Sequence, residues 1–145
     1  MNGGAEILVV EDNPNDIELM LRSFRRHYLA NSIFVARDGA EALDYVFGTG
    51  AHAQGGGQDQ PKIIFLDLNL PKLNGIEVLR RLKSDERTRA IPVVVLTSAE
   101  EERNTIESYQ LGVNSYIVKP VEFENFIRAV SQAGLYWMVL NRRPS

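Results

Sequence analysis

The sequence predicts an α/β fold: one doubly wound parallel sheet of five strands with helices on both faces. Three observations carry this expectation. Five short apolar runs alternate with five helical patterns along 145 residues. Three of those runs are continuous and rich in Val and Ile, which is how strands buried on both faces read. The length is close to the commonest size of a domain, so the elements are expected to form one unit joined by right-handed crossovers. A chain of this size buries roughly 68–70% of its unfolded surface, enough to fold without a disulfide or a structural metal.

The expected strands are 7–10, 33–36, 63–66, 93–96 and 116–118. The first helix opens at Asn13-Pro14, a capping residue followed by a proline at the first helical position. Ile17, Met20, Leu21 and Phe24 then recur at helical spacing. Asp38 with Glu41, Asn74 with Glu77, and Ser98 with Glu101 each read as a capping box that opens a later helix. The third helix is expected to bury Ile76, Leu79 and Leu82. The fourth, 100–111, is weakly amphipathic, with Ile106, Tyr109 and Leu111 as its large apolar residues; weak anchoring makes an element easier to move. The fifth carries Phe123, Phe126, Ile127, Val130 and Trp137. Between the second helix and the third strand lies a flexible Gly-rich loop, 48–60. Its stretch 48–57 holds five of the eleven glycines and no charged residue.

Composition excludes several classes of function. The chain is 44% hydrophobic and 24% charged, near the average for soluble globular proteins. It has no cysteine, which removes disulfide frameworks, zinc thiolate sites and thiol catalysis. The net charge of -3, with both signs mixed, gives no footprint for nucleic acid. No apolar run is long enough to span a membrane, and no basic-then-apolar leader opens the chain. The expected setting is cytoplasmic.

In open α/β sheets, ligands bind beyond the carboxyl ends of the strands. The first strand ends in Glu11-Asp12, the third in Asp67, the fourth in Thr97-Ser98 and the fifth in Lys119-Pro120. Three carboxylates, a hydroxyl and an ammonium therefore share one rim. Unit charges 4 Å apart interact by roughly 1 to 4 kcal/mol in water or near a protein surface, so clustered carboxylates call for a cation. Mg²⁺ suits them, because it takes hard oxygen ligands and binds through one or two carboxylates plus phosphate oxygens. Lys119 and Thr97 can each meet a phosphoryl oxygen. Asp67, at the expected centre of the sheet, is the candidate nucleophile.

The segments Val9-Val10-Glu11-Asp12, Phe65-Leu66-Asp67-Leu68-Asn69-Leu70-Pro71, Val95-Leu96-Thr97-Ser98-Ala99 and Tyr116-Ile117-Val118-Lys119-Pro120 resemble the receiver domain of two-component response regulators. The resemblance spans a core of 6–132 within a single domain of 1–145. It implies a flavodoxin-like (βα)5 fold and phosphoryl transfer from the phosphohistidine of a sensor histidine kinase to Asp67. It implies that Asp12, Glu11, Asp67 and the backbone carbonyl of Asn69 hold Mg²⁺. Thr97 and Tyr116 would form the switch pair, and Lys119 would contact the phosphoryl group across a cis Lys119-Pro120 peptide. Gly75 falls where the family turns tightly. Such a protein is a phosphoacceptor for signalling and not an enzyme acting on a separate substrate.

Two rivals are weighed on the same residues. An aspartate-nucleophile phosphatase of the haloacid dehalogenase type also uses Asp, Thr or Ser, Lys and an acidic pair. Its nucleophile precedes its acidic pair, and a second Asp follows two residues on, where this chain has Asn69. A nucleotide-binding module would need G-x-G-x-x-G or G-x-x-x-x-G-K-[ST], and neither occurs. His27, His52, Arg80-Arg81 and Arg142-Arg143 read as ordinary surface residues.

No output domain fits after Lys119-Pro120, so action through another protein is expected. The stretch 135–140 is continuously apolar, more than one helix face needs. It lies in an apolar helix extension, 133–141, and Tyr136, Trp137 and Leu140 are expected at an interface. The long loop and this tail resemble single-domain regulators paired with bacterial and cyanobacterial phytochrome kinases. That narrower resemblance implies a bacteriophytochrome partner and a homodimer.

Overall fold

The computed structural model describes residues 7–26, 33–48, 60–70, 73–97, 113, 115–119, 122, 124–125 and 128. The elements are β1 (Ile7–Val10), α1 (Pro14–Arg26), β2 (Ile33–Ala36), α2 (Gly39–Phe47), β3 (Ile63–Asp67), α3 (Gly75–Ser84), β4 (Val93–Thr97) and β5 (Ser115–Val118). All strand pairs are parallel, in the order β2-β1-β3-β4-β5. This is the expected doubly wound, flavodoxin-like sheet. β2 is an edge, and β3 is the central strand.

β1, β3 and β4 are buried along their whole length because their alternate side chains enter two separate cores, whereas the edge strand β2 is mostly half-buried. Ile7, Val9, Ile63, Phe65, Val94, Leu96 and Ile117 face one side and pack with Met20 and Phe24 of α1. Phe24 meets Phe65 edge-on, with ring centroids 5.6 Å apart. Leu8, Val10, Ile64, Leu66, Val93 and Val95 face the other side and pack with residues of α2 and α3. Full burial of such a side chain is worth roughly 1.5–3 kcal/mol. β1, β3 and β4 therefore tolerate no polar residue until the rim, where the apolar runs stop.

The helix starts follow local chemistry. Asn13 Oδ1 accepts from the amides of Asn15 and Asp16 at 2.8 and 3.2 Å. Asp38 Oδ1 accepts from Glu41 N at 2.8 Å, while Glu41 Oε1 accepts from Arg37 N at 3.0 Å. Asn74 Oδ1 accepts from Glu77 N at 3.0 Å. α2 stops at Gly48, whose φ of 68° is left-handed and suits glycine. In α3 the buried stripe is Gly75, Val78, Leu79 and Leu82. Ile76 is only half-buried, contrary to expectation, and Val78 holds the inner position. The stripe follows spacings of three and four residues counted from Gly75, which leaves Ile76 on its flank. Arg80 and Arg81 are exposed and lie 3.8 and 3.5 Å from Glu77 oxygens, as a solvated face predicts.

The Ser98–Glu101 capping box, the fourth helix, most of the Gly-rich loop and most of the fifth helix lie outside the described residues. Of the fifth helix, Glu124, Asn125 and Arg128 are described as helical.

Gly75 shapes the approach to the rim. Its amide donates to Leu68 O at 3.0 Å, which folds the chain after β3 back on itself. A Cβ at this position would come within 3.0 Å of both Asp67 O and Leu68 Cα. These are backbone atoms of the strand end and cannot swing aside. Gly75→Ala is therefore expected to destabilise the protein by about 1–3 kcal/mol, the usual cost of overpacking. The midpoint of urea unfolding measures this, and an unchanged midpoint would contradict the tight turn.

Candidate functional site

The carboxyl ends of β1, β3, β4 and β5 bring the predicted residues onto one rim. Glu11 follows β1, and its amide donates to Ala36 O at 3.0 Å, extending the ladder to β2. Its side chain is fully buried. Asp12, the next residue, is exposed. Asp67 closes β3 and is 2% exposed. Glu11, Asp12 and Asp67 each offer an oxygen, and these atoms lie within 4.8 Å of one another.

Lys119 ties the cluster together. Its amide donates to Thr97 O at 2.9 Å, which continues the β4–β5 pairing and aims the side chain along the rim. Its ammonium donates to Asp67 Oδ2 and Glu11 Oε2, each at 3.1 Å. It also lies 3.0 Å from Asp16 Oδ2. Burial alone would lower the Lys119 pKa, but Asp16, Asp67 and Glu11 outweigh it and hold the ammonium above its ordinary value. The Glu11 carboxyl is raised as well: burial, then the neighbouring Asp67, push it up to about 7.

Asp67 is held at both oxygens. Oδ1 accepts from Asn69 N at 3.1 Å, and Oδ2 accepts from Lys119 Nζ. Asn69 itself is exposed beside it. Thr97 closes β4 and is fully buried. Tyr116 is half-buried against the core shared by α2 and α3. Thr97 pairs with Val118 and Val95 with Tyr116, so Thr97 and Tyr116 sit diagonally on one face of neighbouring strands. Pro120, and with it the predicted cis peptide, lies outside the described residues, as do Tyr136, Trp137 and Leu140.

A divalent cation fits this donor set. Glu11 Oε1 is buried and has no hydrogen-bond partner among the described residues, although the Lys119 ammonium is 3.1 Å away. Such an oxygen is costly to bury unless something satisfies it. The three clustered carboxylates are hard oxygen ligands of the kind Mg²⁺ prefers.

Asp16 was not among the residues the sequence singled out. It sits in the first turn of α1, where an acidic residue is ordinary helix chemistry. Its contact with a lysine 103 positions later depends on the packing of α1 against the sheet, which spacing along the chain does not reveal.

Residues 7–131 match the response regulator receiver domain family. The chain is 44% identical over 138 residues to the probable methanogenesis regulatory protein FilR2 of Methanothrix harundinacea, covering 95% of this chain and 86% of that one. It is 33% identical over 132 residues to response regulator Rcp1 of Synechocystis sp., covering 91% and 88% of the two chains. The solved structure of Rcp1 in its Mn²⁺-bound form is similar, with a TM-score of 0.75 over 97% of each chain at 31% identity. The bacteriophytochrome response regulator RtBRR is 47% identical, with a TM-score of 0.86 over 99% of this chain and 85% of that one. The kinship with phytochrome-associated regulators is thus seen in sequence and in structure, and the phosphatase alternative gains no support. With a match that runs from the first strand to residue 131, the chain belongs to the response regulator receiver domain family.

Proposed function

We propose that the protein is a single-domain response regulator that takes a phosphoryl group from the phosphohistidine of a sensor histidine kinase onto Asp67. One observation carries the reading. Asp67 ends the central strand, buried, with one oxygen on a backbone amide and the other on Lys119, beside Glu11 and Asp12. An oxygen of Asp67 attacks phosphorus; the new O–P bond forms as the P–N bond of the donor imidazole breaks, and the imidazole nitrogen keeps the electron pair. Lys119 then shifts its contact from the carboxylate to a phosphoryl oxygen. The Thr97 hydroxyl donates to another, and Tyr116 on the same face follows it.

Glu11, Asp12, Asp67 and the Asn69 carbonyl would hold Mg²⁺, which when bound neutralises the charge of the incoming phosphoryl oxygens. The protein is read as a phosphoacceptor and not as an enzyme with a separate substrate, and its place as the cytoplasm, where a kinase would meet it. Among the described residues no helix is long and apolar enough to cross a membrane. The likeness to RtBRR supports a bacteriophytochrome as the kinase. The test is transfer from acetyl phosphate with Mg²⁺: the peptide containing Asp67 gains one phosphoryl mass, and chelation of the metal prevents the gain.

The same reading includes a homodimer through Tyr136, Trp137 and Leu140. Its support is the continuously apolar stretch 135–140. A two-fold interface buries the same patch on both copies. Sedimentation of the protein with and without beryllium fluoride and Mg²⁺ should show a dimer that Trp137→Ala weakens. A strict monomer in both states would leave this patch to a hetero-partner.

A further inference from the structure

We propose that Asp16 is a positioning residue that anchors the Lys119 ammonium beside Asp67. This rests on the reading of Asp67 as the phosphoacceptor and adds a residue to that site. An ammonium has three donor hydrogens and no acceptor. In this structure three carboxylates surround it at nearly equal distance: Asp16 Oδ2 at 3.0 Å, Glu11 and Asp67 oxygens at 3.1 Å. The Lys119 side chain is 18% exposed and that of Asp16 is 11% exposed, so water competes weakly for the contact.

The three partners differ in what happens to them during signalling. Glu11 belongs to the acid cluster that fits a divalent cation, and a cation there draws on its oxygens. Asp67 loses its carboxylate charge when it becomes an acyl phosphate. Asp16 is outside the acid cluster and is not the acceptor. It is fixed in the first turn of α1, where Asn13 Oδ1 holds its amide at 3.2 Å. It therefore stays in place while the other two contacts change. A long lysine side chain with one constant partner keeps its ammonium within reach of the new phosphoryl oxygens. Without that partner, ordering the side chain has to be repaid by the phosphoryl contact alone.

Two measurements on the full chain test this. The first is the affinity for fluoroberyllate at saturating Mg²⁺, by calorimetry. Asp16→Ala should weaken it about fivefold, the upper end of what a partly exposed ion pair contributes. Asp16→Asn keeps an acceptor at the same reach and should recover at least half of that loss. The second is the ε-methylene resonance of Lys119 in lysine-labelled, unphosphorylated protein, assigned by its loss in Lys119→Met. Asp16→Ala should displace it, whereas a role confined to the stability of α1 would not. An affinity of Asp16→Ala within measurement error of the parent, or an unmoved Lys119 resonance, overturns the proposal. The resonance does not depend on phosphorylation. A parent protein that fails to bind fluoroberyllate would overturn the reading of Asp67 instead.

Discussion

Asp67→Asn should take up no phosphoryl group from acetyl phosphate and Mg²⁺ under conditions where the parent gains one phosphoryl mass. The amide nitrogen and oxygen that replace the carboxylate have no anionic lone pair to attack phosphorus. The expected loss is complete and not graded, because no other carboxylate among the described residues shares the geometry. Glu11 is buried behind the same ammonium, and Asp12 is exposed at the mouth. The fold should survive. Asn is close in size to Asp, its side-chain oxygen can still accept from Asn69 N, and Lys119 retains Glu11 and Asp16. Intact-mass measurement gives the labelling, and the amide spectrum gives the fold. Labelling of the variant at the parental rate would mean that phosphoryl transfer goes to another residue.

The sheet was legible because its strands are extreme. Residues 63–66 and 93–96 are apolar at every position, which only a strand covered on both sides tolerates. The place where each run turned polar then located the rim. Glu11, Asp67, Thr97 and Lys119 were found by that one rule. The rule failed where a residue reaches the site from a helix. Asp16 looks like an N-terminal helix acid, and only the docking of α1 on the sheet reveals its contact with Lys119. A smaller miss has a similar cause. Spacing alone made Ile76 a core residue of α3, but the helix is rotated so that Gly75 can touch the end of β3, and Val78 turns inward with it. Tyr136, Trp137 and Leu140, proposed above for an interface, lie outside the described residues and stand as sequence readings.

The affinity for Mg²⁺ should fall about a hundredfold between about pH 8 and about pH 5, because a proton competes with the metal at Glu11. Burial comes first among the causes that push this carboxyl up to about 7, and the charge of Asp67 adds to it. A ligand oxygen must be deprotonated, so near pH 5 about one Glu11 in a hundred is ready to bind without expelling a proton. The same shift sets the pH dependence of folding when the metal is chelated. The folded-state pKa lies above the ordinary 4.5, so the folded protein holds this proton more tightly than the unfolded chain does. The contribution of Glu11 to stability is therefore full below about pH 4.5 and is lost as the pH rises through about 7. Mg²⁺ acts in the opposite sense, stabilising the protein most where Glu11 is ionised. Glu11→Gln separates the two effects. It removes the titrating group, so the metal-free urea midpoint should rise near pH 8 relative to the parent. Its weaker Mg²⁺ affinity should also lose the part of the pH dependence that Glu11 supplies. A parental Mg²⁺ affinity that is flat across this range, measured by calorimetry, would show that Glu11 is ionised throughout and that the buried oxygen is satisfied by Lys119 alone.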